Sequence, residues 1–259
     1  MQDYIERFLK VTRLQGEVIK LFVASVEPPI FYHSGKVHYG FRFAKPGAKH
    51  FCLLKAVRAV SGLNAAIALL DKGFTQELHV IIRTIVECTS QIDYIIAGLD
   101  NDNLKPPQKK FVDTYFSDFH RNNVDDFQRP RLRQGKVHET VGRSMREQLK
   151  GIKGGEKFSE VDASKLMSNV YLTYSNYVHS RYPEVMDMFG GMPVHFHLEG
   201  MRDTPKDAEN IQQIECHLET VSLALRKMVR KFDMASELCR SPKLMEWFRV
   251  QKSDNQQQW

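Results

Sequence analysis

Three side chains spaced four residues apart, His79, Arg83 and Glu87, fall on one face of any helix that contains them, and they do so among Leu78, Val80, Ile81, Ile82, Ile85 and Val86. A charge on so apolar a helix is costly unless it is paired, and Arg83 with Glu87 at i, i+4 is the ready partnership. The stripe reads in three ways: an internal ion pair that sets helix register, a pocket in which Arg83 holds an anion, or plain solvent exposure. A second concentration of polar groups runs Tyr174-Ser175-Asn176-Tyr177-Val178-His179-Ser180-Arg181-Tyr182 and stops at Pro183. Ser175 and His179 lie one helical turn apart, and histidine exchanges a proton near neutral pH, which makes His179 the candidate for general acid–base work. The same imidazole near a helix end can instead bond the free carbonyls there.

Charge marks a third region. From Arg129 to Lys153 the basic residues are Arg129, Arg131, Arg133, Lys136, Arg143, Arg146, Lys150 and Lys153, against Glu139 and Glu147 alone. Eight cations less two acids equal the whole formal charge of +6 carried by the chain. Such a stripe suits an acidic partner, RNA or another polyanion, although a solvated helix face preceded by a basic loop has the same composition. His195 and His197 share one side of a strand-like stretch, but two imidazoles with Glu199 as the nearest acid are too few for a metal centre, and no metal or cofactor is expected. The chain holds no P-loop, no G-x-G-x-x-G, no G-x-S-x-G and no H-E-x-x-H.

The elements that must position these residues read as helices. Ile5, Phe8, Leu9 and Thr12, then Val18, Leu21, Phe22 and Ser25, follow helical spacing, with Asp3 as a cap and Pro28-Pro29 as a stop. The stretch from His50 to Asp71 becomes apolar nearly all round and closes at Lys72-Gly73; with Thr75 as its cap, the next helix runs to about Leu99, and the two form an antiparallel central pair. After Pro106-Pro107 a helix carrying Phe111, Tyr115 and Phe119 is predicted to end near Gln128. Val137, Val141, Met145 and Leu149 define a shorter one inside the basic segment. The helix with Leu166, Val170, Tyr174 and Val178 is predicted to stop at Pro183, and one opening at Thr204-Pro205 to run through Ile211, Ile214, Leu218, Val221, Leu225 and Phe232 as far as Leu238. Pro242 to Val250 makes a last short helix. Extended segments are expected near 36–43, lying on the bundle, and near 193–199. The fold class is all-α, an up-and-down bundle of about seven or eight helices, in a single domain over 1–250 (core about 50–235) with a loose tail at 251–259.

The Arg83-Thr84-Ile85-Val86-Glu87 core on the second helix of an apolar pair, and the later Tyr174-Ser175-Asn176-Tyr177-Val178-His179 run, resemble the bacterial family of unknown function DUF5677. That family is similar at a distance to the HEPN superfamily of small helical bundles found in toxin–antitoxin and phage-defence systems. The resemblance covers roughly residues 50–235 and matches Arg83, Glu87, Ser175 and His179 to the recurrent polar positions. It implies a bacterial, RNA-binding or metal-independent RNA-cleaving protein, in which histidine moves protons and arginine steadies phosphate. The Arg-x(4-6)-His pattern of HEPN proteins is matched forward at Arg133 to His138, lying across Gly135 at a predicted helix start, and His179 has no arginine at that distance before it. Arg83 and His179 would have to meet across helices. The bland alternative is a non-catalytic interaction module, or a homodimer assembled through exposed apolar helix faces.

Composition sets the remaining expectations. With 42% hydrophobic and 26% charged residues, the 259-residue chain has an ordinary globular balance. Its apolar stretch from Ala59 to Leu70 is interrupted by Ser61, Gly62 and Asn64, and no membrane partner is expected. Cys52, Cys88, Cys216 and Cys239 lie far apart, as in a reduced cytoplasmic protein.

Overall fold

The computed structural model describes residues 1–34, 38–100, 103–117, 137, 139–140 and 160–246. Helix α1 (Gln2–Ala24) buries Ile5, Phe8, Thr12, Gln15, Val18 and Phe22, one line at three- and four-residue spacing. Helices α2 (Ala48–Lys72) and α3 (Thr75–Gly98) form the antiparallel central pair. They approach closely at Gly62, where an added Cβ would stand 3.0 Å from Ile85 Cγ1. The bundle continues with α4 (Pro106–Phe116), α5 (Glu160–Val178), the short α6 (Tyr182–Met186), α7 (Lys206–Lys231) and α8 (Ala235–Leu238). Helix α3 packs against α2, α5 and α7, and only Glu77, Val80 and Ala97 among its residues are exposed. By length and composition α2 is a helix that could cross a membrane (mean hydropathy 1.5), and half of that apolar window is buried in the bundle.

The turn between α2 and α3 is fixed from both sides. Gly73 takes φ +75° to end α2, its carbonyl accepts the Met201 N–H at 2.8 Å, and a Cβ there would meet Met201 N and Arg202 N at 2.8 Å. The loop before α7 is thereby seated on the α2–α3 corner, and Arg202 adds a hydrogen bond to the Asp71 carbonyl. Buried polar links tie the outer helices in: Gln15 Nε2 donates to the Leu218 carbonyl and to Ser222 Oγ, both at 2.9 Å, and Lys227 Nζ meets both Asp93 oxygens at 2.9 Å.

Among the described residues three antiparallel hairpins interrupt the helices: β1 (Ile30–Ser34) with β2 (His38–Arg42), β3 (Leu99–Asp100) with β4 (Asn103–Leu104), and β5 (Phe189–Gly191) with β6 (His195–Phe196). The first and last meet the expected extended segments, but β1–β2 contacts chiefly itself instead of lying on the bundle.

Several predicted boundaries move, each for a local reason. Asp3 is not the cap of α1, which begins at Gln2 with Met1 before it. Thr75 does not cap α3 either; it is the first helical residue, and its hydroxyl accepts from Asn210 Nδ2 at 2.9 Å. Helix α4 ends at Phe116 because Ser117 turns extended, short of Gln128. Helix α5 stops at Val178, since Ser180 adopts φ 47°, and Pro183 sits in the first turn of α6 instead of terminating its predecessor. Thr204 points back to the Met201 carbonyl without capping α7, and that helix closes at Lys231, before Asp233 at φ 50°. Within the helix expected over 137–149, Val137 is helical and fully buried in the core.

Candidate functional site

The four candidate residues separate into two places. Arg83, on the α5-facing side of α3, lays its guanidinium over the Tyr171 ring, with Cζ 4.6 Å from the centroid, and donates from Nη2 to the Tyr171 hydroxyl. Glu87 Oε2 lies 3.8 Å from Arg83 Nη1, and Glu87 Oε1 accepts from Gln91 Nε2 at 3.1 Å. The ion pair keeps 24% and 31% of its side-chain surfaces exposed, so it is half-sheltered and not sealed in the core. Ser175 lies further along α5 and His179 just past its end, their backbones joined by the His179 N–H to the Ser175 carbonyl at 3.1 Å. His179 is exposed, in the turn that follows α5. Helices α3 and α5 run antiparallel, because His79 meets Tyr177 while Arg83 meets Tyr171. Eight positions along the chain therefore separate Tyr171, the arginine's contact, from His179, about 12 Å at the helical rise.

A denser polar constellation forms one turn away from Arg83, at the junction of α3, α5 and α7. His79, 7% exposed, donates from Nδ1 to the Thr75 carbonyl at 2.8 Å and stacks on Tyr177 with centroids 4.2 Å apart and planes 13° apart. Tyr174 stands beside it at 5.8 Å, and its hydroxyl donates to Gln213 Oε1. With that proton committed, the 3.0 Å contact between Tyr174 Oη and His217 Nε2 is one in which the imidazole donates. His217 Nδ1 is then a lone pair, buried and without a hydrogen-bond partner among the described residues. Burial, with the neighbouring His79 adding to it, lowers the His217 pKa to about 4; burial likewise lowers that of His79. Burial also raises both phenols, and Asp187, which accepts from Tyr177 Oη at 3.2 Å, raises Tyr177 further. Asp187 is itself held by Lys206 Nζ at 3.2 Å.

At neutral pH this is a neutral, hydrogen-bonded seam. Its histidines are shut away from solvent, and its phenols keep their protons. What it can do chemically is hold three helices in one register. His79 is visible in the sequence as part of the polar stripe. His217 is not among the residues that spacing marks as functional, although it lies three residues after Ile214 and four before Val221 on the apolar line of α7, where a histidine is buried by position.

Beside the seam a groove of about 500 Å³ opens between α2, α3, α5 and α6, lined by Leu69, Val80, Ile81, Val178, Val185 and Met188 with Gln76, Glu77, Tyr177 and Ser180. Arg83, Glu87, Ser175 and His179 do not line it. His195 and His197 have ring centroids 5.5 Å apart, with His195 Nδ1 bonded to the Pro193 carbonyl at 2.9 Å. Among the described residues no three His, Cys, Asp or Glu side chains group as a metal would require. Arg129, Arg131, Arg133, Lys136, Arg143, Arg146 and Lys150, together with the Arg133–His138 pattern, lie outside the described residues.

Apart from Ala48, the α2–α3 pair, the Arg83–Glu87 stripe and the tyrosine-rich α5 fall inside residues 49–191, which match the model of the family of unknown function DUF5677. The chain belongs to the DUF5677 family. No curated protein and no solved structure matches it. The DUF5677 match takes in α2 to β5 and leaves out α1 and α7, so His217 and Gln213 of the buried seam come from beyond it.

Proposed function

We propose that this DUF5677 protein is an RNA-binding helical module that does not cut its ligand, with residues 129–153 as its electrostatic contact. The observation that carries the reading is the concentration of eight cations against two acids in that segment. Each phosphate neutralised by such a segment releases counterions, which supplies affinity without sequence readout. The non-cleaving part rests on the placement of Arg83 and His179. Activation of a ribose 2′-hydroxyl by His179 with Arg83 steadying the same phosphate needs both within reach of one phosphate. Arg83 is instead engaged by Tyr171 and Glu87, about 12 Å of helix away from His179.

Labelled single-stranded RNA titrated with the full chain tests both parts. Binding is expected to weaken steeply with salt, and reversing Arg131, Arg133, Arg143 and Arg146 to glutamate is expected to cost roughly tenfold or more in affinity and flatten that salt dependence. Unchanged binding by the reversed variant would remove the segment from the reading. In a chelator the RNA is expected to stay intact; cleavage that disappears in His179→Ala would restore a nuclease.

A further inference from the structure

We propose that the β1–β2 hairpin is a base-stacking platform for single-stranded nucleic acid, a contact separate from residues 129–153; this rests on the RNA-binding reading above and adds a site to it. Phe31 and Phe41 are directly opposed across the two strands, so their side chains share a face, and their rings meet edge to face with centroids 5.7 Å apart. They remain 60% and 66% exposed, although paired phenylalanines on a strand ordinarily mark the side that packs on a core. No helix among the described residues covers them, since the hairpin contacts chiefly itself. Two aromatic faces held on a short ladder and open to solvent are what an unstacked base seeks; a duplex hides its base faces, so the ligand is single-stranded.

Charge agrees with that occupant. Between Glu27 and Asp71 the sequence has no aspartate or glutamate and six cations, Lys36, Arg42, Lys45, Lys49, Lys55 and Arg58. Arg42 and Lys45, both exposed, follow Phe41 closely. Arg42 opposes Ile30 and so belongs to the other face, and its Nη1 folds back to donate to the Phe41 carbonyl at 2.9 Å. The guanidinium thus runs back along β2 over Gly40, on the face away from the rings, and places a cation across the strand from a base stacked on Phe41. An anionic membrane would also be attracted, but insertion is led by the tip of a hairpin. Here the Phe31–Phe41 pair is next to the open end, one step from the Ile30–Arg42 pair, and the joining sequence is Gly35-Lys36-Val37.

The test uses the full chain and two probes, a labelled oligouridylate and phosphatidylserine vesicles. Phe31→Ala with Phe41→Ala is expected to weaken oligouridylate binding roughly tenfold per ring while leaving its salt dependence unchanged, and the paired tyrosine substitutions are expected to restore it. Circular dichroism and the melting temperature, expected unchanged because the hairpin packs so little on the bundle, show that the fold is intact. Full affinity in the double alanine variant overturns the platform, and if the charge-reversed 129–153 variant still loses affinity the RNA-binding reading survives without it. No oligouridylate binding by the unaltered chain overturns both. Vesicle binding that depends on the two rings, with oligouridylate binding independent of them, overturns the platform in favour of a lipid contact.

Discussion

Protonating His217 would place a cation where its Nε2 is already committed to Tyr174 and its Nδ1 faces no acceptor among the described residues. The unfolded chain has no such difficulty, so its histidines take up protons near the ordinary value of 6.5 while folded His217 waits until about 4. The folded pKa is the lower one; stability is therefore full above the unfolded value and is lost as pH falls from 6.5 towards 4. For His217 alone the loss approaches ~3 kcal/mol by the end of that window, and His79, lowered in the same way, adds to it. The groups facing the pair are Tyr174 and Tyr177 from α5, Gln213 from α7, and Asp187, Lys206 and Glu209 at the rim. Urea unfolding at a series of pH values should show stability declining from near neutrality to pH 5, and His217→Gln should flatten part of that slope. A profile unaffected by the substitution would mean that the seam does not set the acid limit.

At the level of elements, the α2–α3 corner depends on a backbone that only glycine adopts freely. Gly73→Ala imposes a left-handed residue with a Cβ 2.8 Å from two backbone nitrogens of the loop before α7. It is expected to cost at least about 1 kcal/mol in backbone strain alone, read as a fall in melting temperature of a few degrees. The central helices were legible because their evidence is local: apolar residues recurring at three and four, and a Lys72-Gly73 stop. Helix ends were less so. Ser180 and Asp233 enter the left-handed region without being glycine, and Thr75 and Thr204 spend their hydroxyls on Asn210 and Met201 instead of on caps. Those choices are made by neighbours distant in the chain or by loop geometry, which no local pattern records. The candidate site divides the same way. Arg83–Glu87 is an i, i+4 pair and could be read directly, whereas the Tyr171 contact and the Tyr174–His217 bond join residues 88 and 43 positions apart.

On the scale of the whole molecule, the family-matched centre and the outer helices are one core. Leu218, Val221, Leu225 and Met228 of α7 lie in the same buried cluster as Leu78, Ile82 and Ile85 of α3, and Phe8, Val18 and Phe22 of α1 join it. The stretch matched by the family model, 49–191, supplies only the middle of that cluster. Cut out by itself, it would leave Asp93 without Lys227, Tyr174 without His217 and Gln213, and the α7-facing side of α3 bare. A fragment spanning 49–191 is accordingly expected to be aggregation-prone and rapidly digested by protease under conditions where the full chain resists, and a stable, helical, monomeric fragment would refute this. The family boundary thus runs through this core and not around it. In this chain the wall behind α3 is brought by α7, from outside the matched stretch, so the surface that α7 turns outward belongs to a part of the molecule that the family match does not describe.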